Sequence, residues 1–348
     1  MSFIKKHSTV FWGIVVFAVA ATLPLWLLTG SYLQGLGVAA IVAASLSVAW
    51  NLVGGYGGRL SFGHAAFFGL GGYTSSLLFV HFNVSPWAGA LAGMLVAGIV
   101  AIILGSITTH LQGIYFTLVT FVFSLLLMNL ARYATGLTGG DVGLSIPLEQ
   151  PSFAIMQFRG QTIWYYLALA MLFIFMVVAW LIVRSPFGYR LRATKDDVDV
   201  ARALGVKAEK VKLEVFTLSA MMVAFAGTFL AQYELFIDPG SAFGMDRSVE
   251  MALGAIFGGA GTLWGPVVGG VAIVLFGEGA RVWLEDSFTG ADIIVYGAIL
   301  IAVALWLPGG LASLATMVRD AIFGKRKRKG DQASLSDATE SNGGAHHE

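Results

Sequence analysis

The 348-residue sequence predicts an all-α fold: a polytopic transmembrane helical bundle of about ten spans with both termini cytoplasmic. Three observations predict it. Hydrophobic residues make up 57% of the chain and charged residues only 12%, whereas a soluble domain is roughly a quarter charged. The apolar residues run in blocks of about 18 or more, the length a helix needs to cross roughly 30 Å of hydrocarbon. The cations also alternate with these blocks so that one side of the membrane collects most of them.

Taken in order, apolar runs bounded by charges or turn residues place spans near Val10–Leu28, Gly35–Leu52, Phe62–Val80, Trp87–Leu111 and Ile114–Ala131. Five more follow near Thr162–Val183, Val211–Tyr233, Val249–Leu263, Pro266–Leu284 and Ala291–Leu307. Lys5 and Lys6 followed by Ala18-Val19-Ala20 imitate a secretory leader, but a run of about 19 apolar residues is long for a leader core and reads as an uncleaved helix. Counting from a cytoplasmic N-terminus puts Lys5, Lys6, Arg59, the 184–212 loop and the tail from Arg319 on one side, 17 of the 21 Lys and Arg. The other side keeps Arg132, Arg159, Arg247 and Arg281 among the acids Glu234, Asp238, Asp246, Glu285, Asp286 and Asp292. This is the positive-inside pattern. The eighth block is short and glycine-rich, and a re-entrant segment there would throw Lys325–Lys329 outside; a true crossing fits the charges better. Residues 1–320 therefore read as one transmembrane domain containing the cytoplasmic loop 184–212, and 321–348 as a basic, then polar and disordered, cytoplasmic tail.

Enzyme chemistry finds little support. There is no cysteine for a disulfide, thiolate ligand or nucleophile. The one Gly-Lys pair, Gly324-Lys325, is followed by Arg326 where a phosphate-binding loop requires Ser or Thr, so ATP hydrolysis is not expected in this chain. The histidines lack metal-ligand spacing. No catalytic residue, resident metal or cofactor is expected, and no nucleic-acid partner; the surrounding lipid is the one partner composition implies.

The long cytoplasmic loop is patterned. Pro186 can open a helix, Leu191, Val198, Ala201 and Leu204 recur at helical spacings, and Gly205 ends the run. Such a charge-flanked amphipathic helix suits docking into a groove on another protein; a solvated basic loop that only sets topology is the alternative. A second feature is Asn51 to Tyr73, where glycines at 54, 55, 57, 58, 63, 69, 71 and 72 suggest an interrupted helix and close packing. Ser61, His64 and Tyr73 offer polar side chains there, with His64 read first as a packing histidine. Glycines return between Gly254 and Gly270, and spans two to five and seven to ten have opposite orientations, as inverted repeats would. Charges at membrane depth are few. Glu250 opens the eighth span, while Glu278 and Arg281, three apart near the outer end of the ninth, are expected to pair with each other.

Several stretches in order resemble the permeases of branched-chain amino acid ABC importers, specifically the longer of their two permease types. They are Asn51 to Tyr73, Gly113-Ile-Tyr-Phe-Thr-Leu-Val-Thr120, Gly136-Leu-Thr-Gly-Gly-Asp-Val-Gly-Leu144, Ser185-Pro-Phe-Gly-Tyr-Arg-Leu-Arg-Ala193 with Ala201-Arg-Ala-Leu-Gly205, and Gly258-Gly-Ala-Gly-Thr-Leu-Trp-Gly-Pro266. The resemblance implies an inner-membrane heterodimer with a second permease, two cytoplasmic ATPase subunits that bind ATP and Mg, and a periplasmic substrate-binding protein. It implies that Ser185, Pro186, Phe187, Gly188, Arg190, Arg192, Ala193, Ala201, Leu204 and Gly205 form the element that couples to the ATPases. Together with the polar and glycine-rich positions above, it makes Asn51, Ser61, Gly63, His64, Tyr73, Thr117, Thr138, Gly139, Gly140, Glu250, Gly258 and Gly259 the candidates for the translocation path. The sequence departs from the family at Lys195-Asp-Asp-Val-Asp199, where an Arg-Glu-Asn-Glu-like stretch is common; Val198 replaces a polar residue. Branched-chain or related small neutral amino acids are the expected solutes. Permeases for urea, short amides and some sugars share the broader family, and an ion-coupled secondary transporter using Glu250 or Glu278 is the reading from another class.

Overall fold

The computed structural model describes residues 17–24, 30–111, 113–284 and 297 of the chain. Seven helices among them are long and apolar enough to cross a membrane: Ser31–Tyr56, His64–Phe82, Pro86–Thr108, Ile114–Tyr133, Gln161–Arg184, Ala208–Glu234 and Gly265–Val282. The second to seventh and the ninth predicted spans are all present, with ends shifted by a few residues. The first and tenth, Val10–Leu28 and Ala291–Leu307, lie outside the described residues apart from the helical segment 17–24 and residue 297, as do both termini and the tail.

The elements follow from local chemistry. Helix α1 (Ser31–Asn51) is apolar all round and buried along most of its length, and a five-residue π-helical turn, Leu52–Tyr56, extends it. Helix α2 (His64–Phe82) stops at Asn83, which adopts the left-handed conformation that ends helices. Helix α3 (Pro86–Thr108) starts on a proline, whose fixed φ and missing N–H suit a first turn. Helix α4 (Ile114–Tyr133) exposes Ile114, Leu118, Val122, Leu126 and Leu130 along one face, as a helix bordering lipid would. A short turn α5 (Thr135–Thr138) and strand β1 (Leu144–Ser145) lead to α6 (Gln161–Arg184). The polar helices α7 (Pro186–Asp196) and α8 (Val198–Ala203) precede the long α9 (Ala208–Glu234). Strand β2 (Phe236–Ile237), α10 (Pro239–Phe243), α11 (Met245–Gly259) and α12 (Gly265–Leu284) complete the described chain.

The bundle has a basic end, carrying Arg59 and the α7–α8 pair, and an opposite end, where β1 and β2 pair antiparallel with Leu144 facing Ile237. Small residues allow its closest approaches. A Cβ on Gly71 of α2 would stand 2.0 Å from the carbonyl oxygen of Ala224 on α9, and one on Gly227 of α9 would stand 2.1 Å from that of Phe68. Without a hydrophobic drive between helices in lipid, such backbone proximity is what packs them. Below this crossing Phe67, Phe116 and Phe216 meet edge to face at 5.3 and 5.8 Å. The helices pair in two matching sets. As α9 packs on α2 and α3, so α1 packs on α11 and α12, and α2 pairs with α3 as α11 does with α12.

The predicted eighth span differs most from expectation. Its helix is Met245–Gly259, four residues earlier than expected and 15 residues long, about 22 Å where a hydrocarbon core needs roughly 30 Å. The chain nevertheless passes from one end of the bundle to the other between α9 and α12. From β2 it dips inward through α10, whose Phe243 stacks on Tyr73 at 5.6 Å and gives its carbonyl to Ser124. Helix α11 then starts beside Ala65, whose N–H reaches Ser248 Oγ at 2.8 Å, and its C-terminal turn ends beside Asn51. This passage through the bundle is made in two pieces, with glycine at the break (Gly244).

Candidate functional site

The polar residues of the bundle concentrate where α1 breaks and α2 begins. After the π-helical turn the chain runs irregularly from Gly57 to Gly63, and α2 starts well inside the bundle. His64 Nε2 lies 2.9 Å from Ser219 Oγ, eleven residues along α9, about 16 Å from that helix's start. Ser219 donates to the Ala49 carbonyl at 2.6 Å and so accepts from His64, which leaves Nδ1 to accept from Ser61 Oγ at 3.0 Å. His64, Ser61 and Ser219 are fully buried. Every polar atom of the imidazole is partnered, which is the arrangement of a packing histidine. Trp50 Nε1 donates to the Ser61 carbonyl at 2.8 Å, binding the two sides of the break.

Asn51 is the other anchor. Its Oδ1 accepts from Gly261 N at 2.8 Å and its Nδ2 donates to the Thr262 carbonyl at 2.9 Å, so it clamps the turn between α11 and α12. Gly258 and Gly259 lie on that turn's approach; a Cβ on Gly258 would stand 1.7 Å from the Gly265 carbonyl oxygen. Arg59 closes the basic end of the break. It donates to the carbonyls of Thr108 at 2.9 Å and Leu111 at 2.7 Å and lies 3.7 Å over the Phe116 ring. Burial pushes its pKa down to about 10, still cationic at neutral pH. Gly58, Arg59, Leu60, Gly113, Ile114, Phe116 and Thr117 line a cavity of about 400 Å³ there, and Thr117 donates to the Leu60 carbonyl.

The remaining candidates fall elsewhere. Gly63 packs on Thr120 of α4. Tyr73 sits under α10, as described, with Phe243. Glu250 pairs with Arg247 at 3.1 Å, one turn apart on α11, with Arg247 also over the Phe68 ring. Thr138, Gly139 and Gly140 form a tight turn at the opposite end and do not join the Asn51 group; both glycines have positive φ, and Thr138 Oγ1 caps the end of α4 through the Ala131 carbonyl. Glu278 and Arg281 are 3.8 Å apart, and Tyr32 donates to Glu278.

At the basic end Ser185 caps α7 through Gly188 N, and Pro186 follows it. Gly188 and Ala201 face inward, as do Leu191 and Thr194. Arg192 turns back to the carbonyls of Gly188 and Val183 and stacks on Tyr189. Arg190 is exposed, and so, despite their apolar character, are Tyr189 (65%), Val200 (56%) and Leu204 (78%). Asp197 caps α8, and Asp199 and Glu209 both pair with Arg202, whose pKa the Glu209 hydrogen bond raises. Among the described residues no group of three or more His, Cys, Asp or Glu is placed to hold a metal.

Residues 31–304 match the family described as "Branched-chain amino acid transport system / permease component". The chain belongs to this family. The permease is 26% identical over 289 residues to the high-affinity branched-chain amino acid transport system permease protein LivM of Salmonella typhimurium, covering 76% of this chain and 66% of that protein. The same figures hold for LivM of Escherichia coli. The chain thus spans just under two thirds of these relatives' length. A shorter stretch of 138 residues, 38% of each chain, is 35% identical to the autoinducer 2 import system permease protein LsrC of Salmonella paratyphi B. No solved structure matches. Family membership and seven long apolar helices make the permease a multi-pass membrane protein of the ABC transport class, and the relatives it matches are transport permeases.

Ser219 and Ser248 take part in the site without having been singled out from the sequence. A serine in a helix carries no local sign of its tertiary partner. The π-helical turn was equally hidden, though the four glycines between Gly54 and Gly58 marked the place.

Proposed function

We propose that the permease is one of the two membrane-spanning subunits of an ATP-driven importer for branched-chain or related small neutral amino acids. The basic end is cytoplasmic, and the α7–α8 pair docks on an ATPase subunit. One observation carries this reading: Tyr189 and Val200 on short polar helices beyond the bundle's end, and Leu204 at the C-terminal cap of the second, stand exposed. Apolar side chains held outside both lipid and core by well-capped helices mark a protein-docking surface. ATP and Mg would bind in the ATPase partners, a second permease would complete the path, and a binding protein would deliver solute on the opposite face of the inner membrane. Amino-acid import follows the LivM relatives, and because solute choice in such systems rests on the binding protein, the LsrC likeness fits the same mechanical role.

Ten spans with both termini cytoplasmic, residues 1–320 as the transmembrane domain and 321–348 as a cytoplasmic tail fit the charge distribution. We read the matched pairing of α1, α2 and α3 with α9, α11 and α12 as an inverted repeat. In support, Asn51 and Gln232 each stand eleven residues before a Phe-Gly pair, Phe62-Gly63 and Phe243-Gly244, at which the second helix of the set begins. The two breaks bring the Asn51 and His64 groups and the Arg247–Glu250 pair into the interior, where a path for polar solute requires backbone shielded from lipid.

The test is Arg190→Glu. The substitution should abolish co-purification of the ATPases with the permease and stop uptake. Unchanged assembly and uptake, or ion-driven uptake by the permease alone in liposomes, would overturn the reading.

A further inference from the structure

The π-helical turn Leu52–Tyr56 shifts the helix ladder by one residue, and the Gly55 carbonyl is met from outside the helix. Lys195 Nζ, from the last turn of α7, donates to that oxygen at 2.8 Å. Its stem lies across Gly58, whose φ of +67° and lack of a side chain make room: a Cβ there would stand 2.7 Å from Lys195 Cγ. A Cβ on Gly55 would in turn stand 1.9 Å from Asn51 Oδ1 and 2.4 Å from Gly261 N. Asn51 holds Gly261 and Thr262, and Lys195 Nζ is itself near Gly261. Its neighbours behave differently. Arg190, Arg192 and Thr194 bond within α7 or to the end of α6, whereas Lys195 reaches another segment.

We propose that Lys195 is the positioning residue that joins the docking helix α7 to the break in α1 and, through Asn51, to the α11–α12 turn, so that all three move as one body. The inference rests on α7 being the ATPase-docking element. A displacement of α7 would then be delivered at the point where two interrupted helices meet, instead of being absorbed by the loop that carries it.

The experiment uses the permease assembled with its second permease and ATPases in proteoliposomes supplied with the binding protein. Lys195→Met should leave the ATPases bound and ATP hydrolysis within twofold of wild type, while uptake per ATP falls at least tenfold; Lys195→Arg should keep most of the coupling. The chain lacks cysteine, which permits a second test. The Cβ positions of residues 58 and 195 lie 3.5 Å apart, within disulfide reach. Gly58→Cys with Lys195→Cys should be uncoupled when reduced and regain uptake per ATP when oxidised. Three results would each overturn the linkage: full coupling in Lys195→Met, hydrolysis falling in step with uptake, or oxidation lowering uptake below the reduced level. Failure of the ATPases to bind the wild-type permease would strike the docking assignment instead.

Discussion

Replacing Gly71 by alanine tests whether backbone proximity, and not side-chain burial, sets the α2–α9 crossing. The added Cβ would stand 2.0 Å from Ala224 O and 2.5 Å from both Ala224 C and Cα. All three are backbone atoms, so no rotamer change relieves the overlap, and the helices must part by more than an ångström to reach ordinary contact. Overpacking of this kind costs about 1–3 kcal/mol, and backbone obstruction places the site at about 3. Removing glycine from a helix interior returns about 1 kcal/mol. The net loss is about 2 kcal/mol, or roughly thirtyfold in the folding equilibrium. Gly98→Ala is the matched control, because its Cβ would meet side-chain atoms alone, Cγ and Sδ of the flexible Met221 at 3.3 Å and Thr217 Cγ2 at 3.9 Å, and the propensity gain should remain. Unfolding of both variants in mixed detergent micelles, followed by tryptophan fluorescence, reads the difference. Equal stability of the two variants would refute the reasoning.

Three further outcomes are expected. Asn51→Ala leaves Gly261 N and the Thr262 carbonyl without their partner and should lower stability by about 2–3 kcal/mol; an effect under about 0.5 kcal/mol in the same unfolding assay would count against the clamp. Ser185→Ala removes the α7 cap at about 1 kcal/mol, so amides in α7 should exchange about fivefold faster with those of α1 unchanged. Burial lowers the folded pKa of Arg59 to about 10 from 12.5. The unfolded chain therefore binds more protons only between those values, and the group's contribution to stability rises only there. The stability difference between wild type and Arg59→Gln should accordingly stay constant from about pH 6 to 8, and a slope in that window would contradict the assignment.

The long helices were legible because each is an uninterrupted apolar run, and the Ser185-Pro186 start of α7 because capping chemistry is local. The break after Asn51 was legible as a glycine cluster, but its consequence was not. That α2 begins level with Ser219 depends on a histidine finding a serine 155 residues away. The eighth span misled for a related reason. Hydropathy locates apolar residues, yet Phe243 enters the bundle because Gly69 leaves room for its ring, and that space exists only once α2 and α10 are in place. The same holds for the residues proposed to couple to the ATPases: the pattern located the helix, while packing alone decided that Arg192 turns inward and Leu204 stands free.

Composition and the length of the apolar runs were enough to dictate a membrane solvent and helical spans, because unpaired backbone and charge in hydrocarbon are too costly for an irregular chain. Which helix pairs with which, where two of them break, and that Lys195 reaches the Gly55 carbonyl were decided only in three dimensions. Those outcomes depend on backbones approaching within reach of one another, and that distance is a property of two segments together.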